Sequence, residues 1–195
     1  MYAYLNGKFT HKSPAQVTVD VNGIGFELNI SLNTFSAIQN KEEGMLYTYL
    51  QIKEDGHVLF GFFDKQEKEM FLLLIGVSGV GASTARMMLS SMKAEEISKA
   101  ILQGNVKLLE SVKGIGKKTA ERLVLELKDK VNKNITPSLS SSKPMVVSID
   151  EDALNAMIAL GISKNVAEQT LQKIVSTEPH IGSLEELLKK ALRAI

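Results

Sequence analysis

Two short segments of this 195-residue chain carry residue types that can hold a phosphate, and they are copies of each other. Leu73-Leu74-Ile75-Gly76-Val77-Ser78-Gly79-Val80-Gly81-Ala82-Ser83-Thr84-Ala85 returns, at an offset of 35 residues, as Leu108-Leu109-Glu110-Ser111-Val112-Lys113-Gly114-Ile115-Gly116-Lys117-Lys118-Thr119-Ala120. Both leucines, the valine, both glycines, the threonine and the alanine recur. Each copy predicts a helix, a tight turn holding Gly-apolar-Gly, and a second helix. The glycines let an oxygen approach the backbone where a Cβ would block it, and the N–H groups at the start of the second helix attract an anion. Candidate contacts are Gly79, Val80, Gly81 and Ser83 in the first copy, and Lys113, Gly114, Ile115, Gly116, Lys117, Lys118, Thr119 and Arg122 in and after the second. The cations cluster around the second copy and add long-range attraction, fixing position on a phosphate backbone without reading bases. One such segment alone would be a glycine-ended helix beside a solvated basic face. A matched pair predicts a grip on nucleic acid at two places.

Other chemistries are excluded by spacing. A nucleotide-binding loop ending at Gly116-Lys117 would need glycine where Ser111 stands and Ser or Thr where Lys118 stands. Neither Gly79-Val80-Gly81 nor Gly23-Ile24-Gly25 has the third glycine of a dinucleotide fingerprint. The chain has no cysteine, so disulfides and thiolate-ligated metals are ruled out. His11, His57 and His180 fall in separate segments without metal-ligand spacing, and no catalytic set or cofactor site is expected. Tyr2, Tyr4, Tyr47 and Tyr49 alternate on strands and are expected to pack a barrel, not to stack bases.

The elements that must position the repeats follow from periodicity. Up to about Phe63 the pattern predicts five strands, at Tyr2–Phe9, Gln16–Val21, Gly25–Ile30, Met45–Ile52 and Val58–Phe62, with a short helix at Leu32–Ile38. Asn22-Gly23 and Asp55-Gly56 are hairpin signals. Five strands in so short a stretch favour closure into a small barrel, which removes exposed edges. From Asp64 the spacing turns helical, over Gln66–Ile75, Ser83–Met92, Ala94–Leu102, Val106–Val112 and Lys117–Val131. Residues 134–147 are rich in Ser, Pro and Asn and predict a flexible linker. Residues 148–195 predict three short helices, capped by Ser148 or Asp150, by Ser163 and by Ser183 with Glu186 three residues on. The expected division is 1–63, 64–133, linker 134–147 and 148–195.

A net charge of +1 is low for a nucleic-acid binder, so basic surface must be offset by acidic residues elsewhere. The first residues lack the pattern of a signal peptide and no apolar run could span a bilayer, so the expected setting is the cytoplasm.

The paired segments look like helix-hairpin-helix motifs, and Gly114-Ile115-Gly116-Lys117-Lys118-Thr119-Ala120-Glu121-Arg122-Leu123 is close to a signature of one family. The order barrel, tandem hairpins, Ser/Pro linker and helical tail resembles, over essentially the whole chain, the RuvA family of Holliday-junction-binding subunits. The resemblance implies a multidomain α+β chain: an OB-fold β-barrel, a tandem helix-hairpin-helix domain, a flexible linker and a UBA-like three-helix bundle. It implies a non-catalytic homotetramer, singly or as a pair, that holds four-way junction DNA open. Its partners would be the AAA+ ATPase RuvB, which drives branch migration in recombination and repair, and the resolvase RuvC. No membrane partner is implied.

Lys53-Glu54-Asp55-Gly56, by its residues a solvated hairpin turn, matches the family's acidic pin, so that Glu54 and Asp55 from each subunit would ring the junction centre and repel phosphates. By its residues Leu160-Gly161-Ile162 is equally a helix C-cap inside the bundle or a partner surface. The resemblance makes it the RuvB dock, with Met157 and Leu160 as apolar anchors. Many relatives carry a lysine where this chain has Ala82-Ser83, which would shift the electrostatic load to the second hairpin. Two rivals fit a tandem hairpin or a barrel: a glycosylase or nuclease, which would need a catalytic carboxylate or lysine, and a single-strand binder using barrel aromatics.

Overall fold

The computed structural model describes residues 2–54, 56–135, 149–177 and 183–194. Asp55, the greater part of the expected linker and the candidate cap Ser148 lie outside the described residues. The chain forms two compact units, Met1–Pro137 and Ser138–Ile195.

Five strands, β1 (Tyr4–Ser13), β2 (Gln16–Val21), β3 (Ile24–Asn29), β4 (Glu43–Lys53) and β5 (Gly56–Phe62), close into a barrel in the order β1-β2-β3-β5-β4. This is the architecture expected of an OB-fold. Alternation puts Leu5, Phe9, Val17, Val19, Leu28 and Leu46 inside, where Ile30 and Ile38 join them. The β2–β3 turn uses Asn22 (φ +53) and Gly23 (φ +88), positive values that Asn and Gly accept readily. β1 runs four residues past its expected end at Phe9, because a bulge between Phe9 and His11 bends the strand and lets it keep pairing with β2. Tyr47 and Tyr49, expected to pack the barrel, pack instead against the core that Phe60 and Phe62 share with the following helices. Tyr4 stands exposed at the mouth of β1.

Helix α1 (Leu32–Ile38) plugs the barrel between β3 and β4. Five helices follow within the same unit: α2 (Lys65–Ile75), α3 (Ala82–Ser91), α4 (Ala94–Leu102), α5 (Val106–Glu110) and α6 (Lys117–Ile135). α6 continues through Asn134 and Ile135, where the linker was expected to begin. The barrel and helices share buried residues. Phe71 of α2 is fully buried, with ring centroids 4.9 Å from Phe62, 5.2 Å from Phe60 and 5.5 Å from Tyr49.

Beside this cluster lies a polar lock. The Ser31 and Thr34 hydroxyls donate to the two carboxylate oxygens of buried Glu67, the latter at 2.5 Å. The same hydroxyls accept the backbone N–H groups of Thr34 and Phe63, both at 3.0 Å. Burial pushes the Glu67 carboxyl above its usual range; the two hydroxyl hydrogen bonds oppose the shift and Asp64 adds to it.

In the second unit α7 (Ile149–Ala159), α8 (Lys164–Thr177) and α9 (Leu184–Arg193) enclose Ala153, Met157, Ala167, Leu171, Leu187 and Ala191. Ser183 caps α9 as expected, accepting the Glu186 N–H at 3.2 Å. No described helix is long and apolar enough to cross a membrane.

Candidate nucleic-acid interface

The sequence repeat is a structural repeat. Leu74 and Leu109, Val77 and Val112, Val80 and Ile115, and Ala85 and Ala120 are matching pairs buried in one core. The turns are held by matching bonds: Val80 N–H to Val77 carbonyl and Ile115 N–H to Val112 carbonyl, both 3.0 Å. Ala85 N–H to Gly81 carbonyl and Ala120 N–H to Gly116 carbonyl, both 2.9 Å, start the two following helices. Val80 and Ile115 anchor their hairpins as core residues, so only their backbones can face a ligand; their side chains are not contacts.

The two glycines of each hairpin do different work. Gly79 and Gly114 have φ of +92° and +95°, a region that other residues enter at a cost. Gly81 and Gly116 do not need to be glycine for the fold. Neither has positive φ, and no atom lies within 4 Å of where a Cβ would be. Gly81 starts α3 without any side-chain cap, so the first N–H groups of that helix stay open to an outside acceptor.

The hairpins also touch reciprocally. A Cβ on Gly79 would lie 3.7 Å from Thr119 Oγ1, and one on Gly114 would lie 3.8 Å from Thr84 Cγ2. Each repeat's threonine thus packs on the other repeat's turn, which fixes the spacing between the two N–H cradles. Thr119, expected as a contact, is half-buried in this seam.

Charge is distributed unequally. Lys113, Lys117 and Lys118 are exposed and in no ion pair among the described residues. Arg122, on the same helix as Lys117 and Lys118, reaches across to the first hairpin. Its Nη1 donates to the Ser78 carbonyl of the first hairpin at 3.3 Å, and its Nε lies 3.7 Å from Glu126. Ser83 is exposed on the first turn of α3.

Positioning residues that the sequence did not reveal hold α3 against the barrel. Arg86 donates to the Ala15 carbonyl at 3.0 Å and to Asn29 Oδ1 at 2.9 Å. Asn33 of α1 donates to the carbonyls of Leu89 and Met92 at 2.6 and 3.2 Å, satisfying the end of the same helix. Arg86 follows Ala85 directly, but nothing local distinguishes a docking arginine from a DNA-facing one.

The β4–β5 hairpin pairs Lys53 with Gly56, and Glu54 stands at its turn. Glu54 is exposed at the tip, with exposed Ile52 and His57 beside it; Asp55 lies outside the described residues.

In the second unit Gly161 (φ +90) ends α7, with Ile162 N–H on the Met157 carbonyl at 3.1 Å and Gly161 N–H on the Ile158 carbonyl at 2.9 Å. Leu160 is 63% exposed and available to a partner, whereas Met157, expected as an anchor, is fully buried in the bundle core. Ile162 is half-buried against that core. Among the described residues no group of three or more His, Cys, Asp or Glu could hold a metal ion.

Comparison with known proteins agrees with this geometry. A family model described as RuvA N terminal domain matches residues 1–61, and one described as SAM-like helix-hairpin-helix tandem matches residues 71–129. The chain is 48% identical over 197 residues to the Holliday junction branch migration complex subunit RuvA of Cytophaga hutchinsonii, covering 99% of each chain. The subunits so named from Christiangramia forsetii and Bacteroides thetaiotaomicron are 44% and 42% identical, over the full length of both chains.

Proposed function

The chain belongs to the RuvA family, and from that premise we propose that it is a non-catalytic scaffold for four-way junction DNA. Four copies hold the junction open through backbone contacts at the two hairpins. The three-helix unit recruits a RuvB AAA+ ATPase, whose ATP hydrolysis drives branch migration in the cytoplasm, and the exposed face of the tetramer admits a RuvC resolvase. Binding follows junction shape, not base sequence.

The observation that carries this reading is the pair Gly81 and Gly116. Their fold would accommodate a side chain, and the space in front of each helix start is left empty instead. A phosphate oxygen fits such a place, with N–H groups and the helix dipole facing it. The acidic turn at Glu54 and Asp55 opposes passage of duplex over the junction centre, which accounts for a net charge of only +1 in a DNA-binding chain.

The test is a gel-shift comparison of four-way junction, duplex and single strand across a salt series. Lys117→Ala with Lys118→Ala should weaken junction binding and make the slope of log affinity against log salt shallower by up to about 7, as expected for two lost phosphate contacts in each of four copies. An unchanged slope would remove the lysines from the interface. Glu54→Gln with Asp55→Asn should keep junction affinity and bind plain duplex more tightly. Wild-type discrimination in that variant, together with wild-type RuvB-driven migration, would end the pin assignment.

A further inference from the structure

The two hairpins share a backbone geometry but not a charge supply. The second is surrounded by Lys113, Lys117 and Lys118 of its own repeat. The first has no basic residue from Leu73 to Ala85, and the next one, Arg86, is spent on the barrel at Ala15 and Asn29. The guanidinium that does reach the first hairpin is that of Arg122, which lies on the helix of the second repeat and hydrogen-bonds the Ser78 carbonyl just before Gly79.

We propose that Arg122 supplies, from the second repeat, the phosphate-directed cation of the first hairpin. Thr119, one turn earlier on α6, already lies against Gly79, so α6 runs past the first turn and carries Arg122 to its edge. A guanidinium has five donors. The Ser78 carbonyl takes one and the half-exposed Glu126 carboxylate lies near another, which leaves donors for a phosphate at the helix start. The pair with Glu126 is solvent-exposed and weak, so it does not hold the arginine away from a doubly bonded phosphate. The arrangement is one-directional. The residue at the matching position of the first repeat is Met87, which has no charge to return to the second hairpin. Arg122 therefore gives the first hairpin a cation that its own repeat lacks.

This inference rests on the hairpins being phosphate sites, and a double-mutant comparison on four-way junction DNA separates the two. Gly81→Glu places a carboxylate at the first hairpin without backbone strain or steric clash. Lys117→Ala with Lys118→Ala disables the second hairpin. Arg122→Met is expected to weaken binding at least about tenfold and to flatten the salt slope by up to about 3.6, one lost contact in each of four copies. Its effect should shrink to less than about twofold in the Gly81→Glu background and persist at about tenfold in the lysine background, since groups serving one site are non-additive. Arg122→Gln keeps a donor for the Ser78 carbonyl but no charge, and should lose as much as Met.

Ser83→Lys should restore affinity and slope in the Arg122→Met protein, which a merely structural role would not allow. The inference is overturned by wild-type affinity in Arg122→Gln, by loss that is absorbed in the lysine background instead, or by failure of Ser83→Lys to restore binding. If the lysine variant itself binds with wild-type affinity and slope, the phosphate reading of the hairpins falls and the inference falls with it.

Discussion

A glycine can be required by its own backbone or by something outside the protein, and the two hairpins contain one of each kind. Gly79 and Gly114 sit at φ +92° and +95°, so Gly79→Ala or Gly114→Ala strains the turn and should cost about 1–2 kcal/mol of stability. Gly81 and Gly116 face open space with no positive φ, so alanine there should change stability by less than about 1 kcal/mol, the ordinary effect of losing a glycine cap. Junction affinity should nonetheless fall, because the new methyl stands where a phosphate oxygen would approach. Chemical denaturation and gel shift on the same four variants check this. Equal junction affinity for Gly81→Ala, Gly116→Ala and wild type would mean that the openness serves nothing. The sequence could show the repeat, but it gave both glycines of a pair the same status. Only the backbone angles and the empty volume distinguish them. Val80, Ile115 and Met157 illustrate the same limit, since apolar residues at a turn read alike whether they face a partner or a core.

At the level of elements, what periodicity encodes was legible: five strands, the short helix at Leu32–Ile38 and the helices of the repeat came out at or near their observed limits. What was not legible depends on partners distant in sequence. The continuation of β1 beyond Phe9 needs a bulge against β2, and the role of Arg86 needs Ala15 and Asn29 across the fold. The Glu67 lock is of this kind too, because a glutamate in the first turn of an amphipathic helix ordinarily faces water. Here it ties α2 to the barrel through Ser31 and Thr34, more than thirty residues earlier. Glu67→Ala would leave two buried hydroxyls short of an acceptor, and about 2 kcal/mol of destabilisation is expected.

The pH dependence has a sign opposite to that of a salt-bridged carboxylate. Burial raises the Glu67 pKa, so the folded chain retains this proton at pH values where the unfolded chain has released it. Stability contributed by the group therefore declines as pH rises from 4.5, the ordinary glutamate value, through the raised folded pKa, and is flat above it. Glu67→Gln cannot ionise. Urea unfolding across that range should show the stability of wild type falling relative to the variant as pH rises; a constant difference would place the carboxylate in a solvated site.

At the scale of the whole molecule, the parts proposed to bind the junction and the tail are built as separate cores. The barrel, the acidic turn and both hairpins fall within Met1–Pro137, whose buried residues form clusters distinct from the bundle core of α7, α8 and α9. Removing residues 136–195 takes no buried side chain from either cluster of the first unit. The shortened chain should therefore unfold at the same urea concentration as the first unit of the full chain. It should also bind four-way junction with unchanged affinity and salt slope, while losing stimulation of the RuvB ATPase.

A point variant makes the same cut chemically. Leu160 is 63% exposed at the turn that ends α7, so Leu160→Glu should leave the bundle folded and junction binding intact while stimulation is lost. Met157→Ala removes a fully buried side chain and should instead melt the bundle, at a cost of about 2–5 kcal/mol. If Leu160→Glu stimulates the motor normally while Met157→Ala does not, the motor reads some other face of the bundle. If the shortened chain stimulates it normally, docking belongs to the first unit, and the three-helix unit must be assigned a different partner.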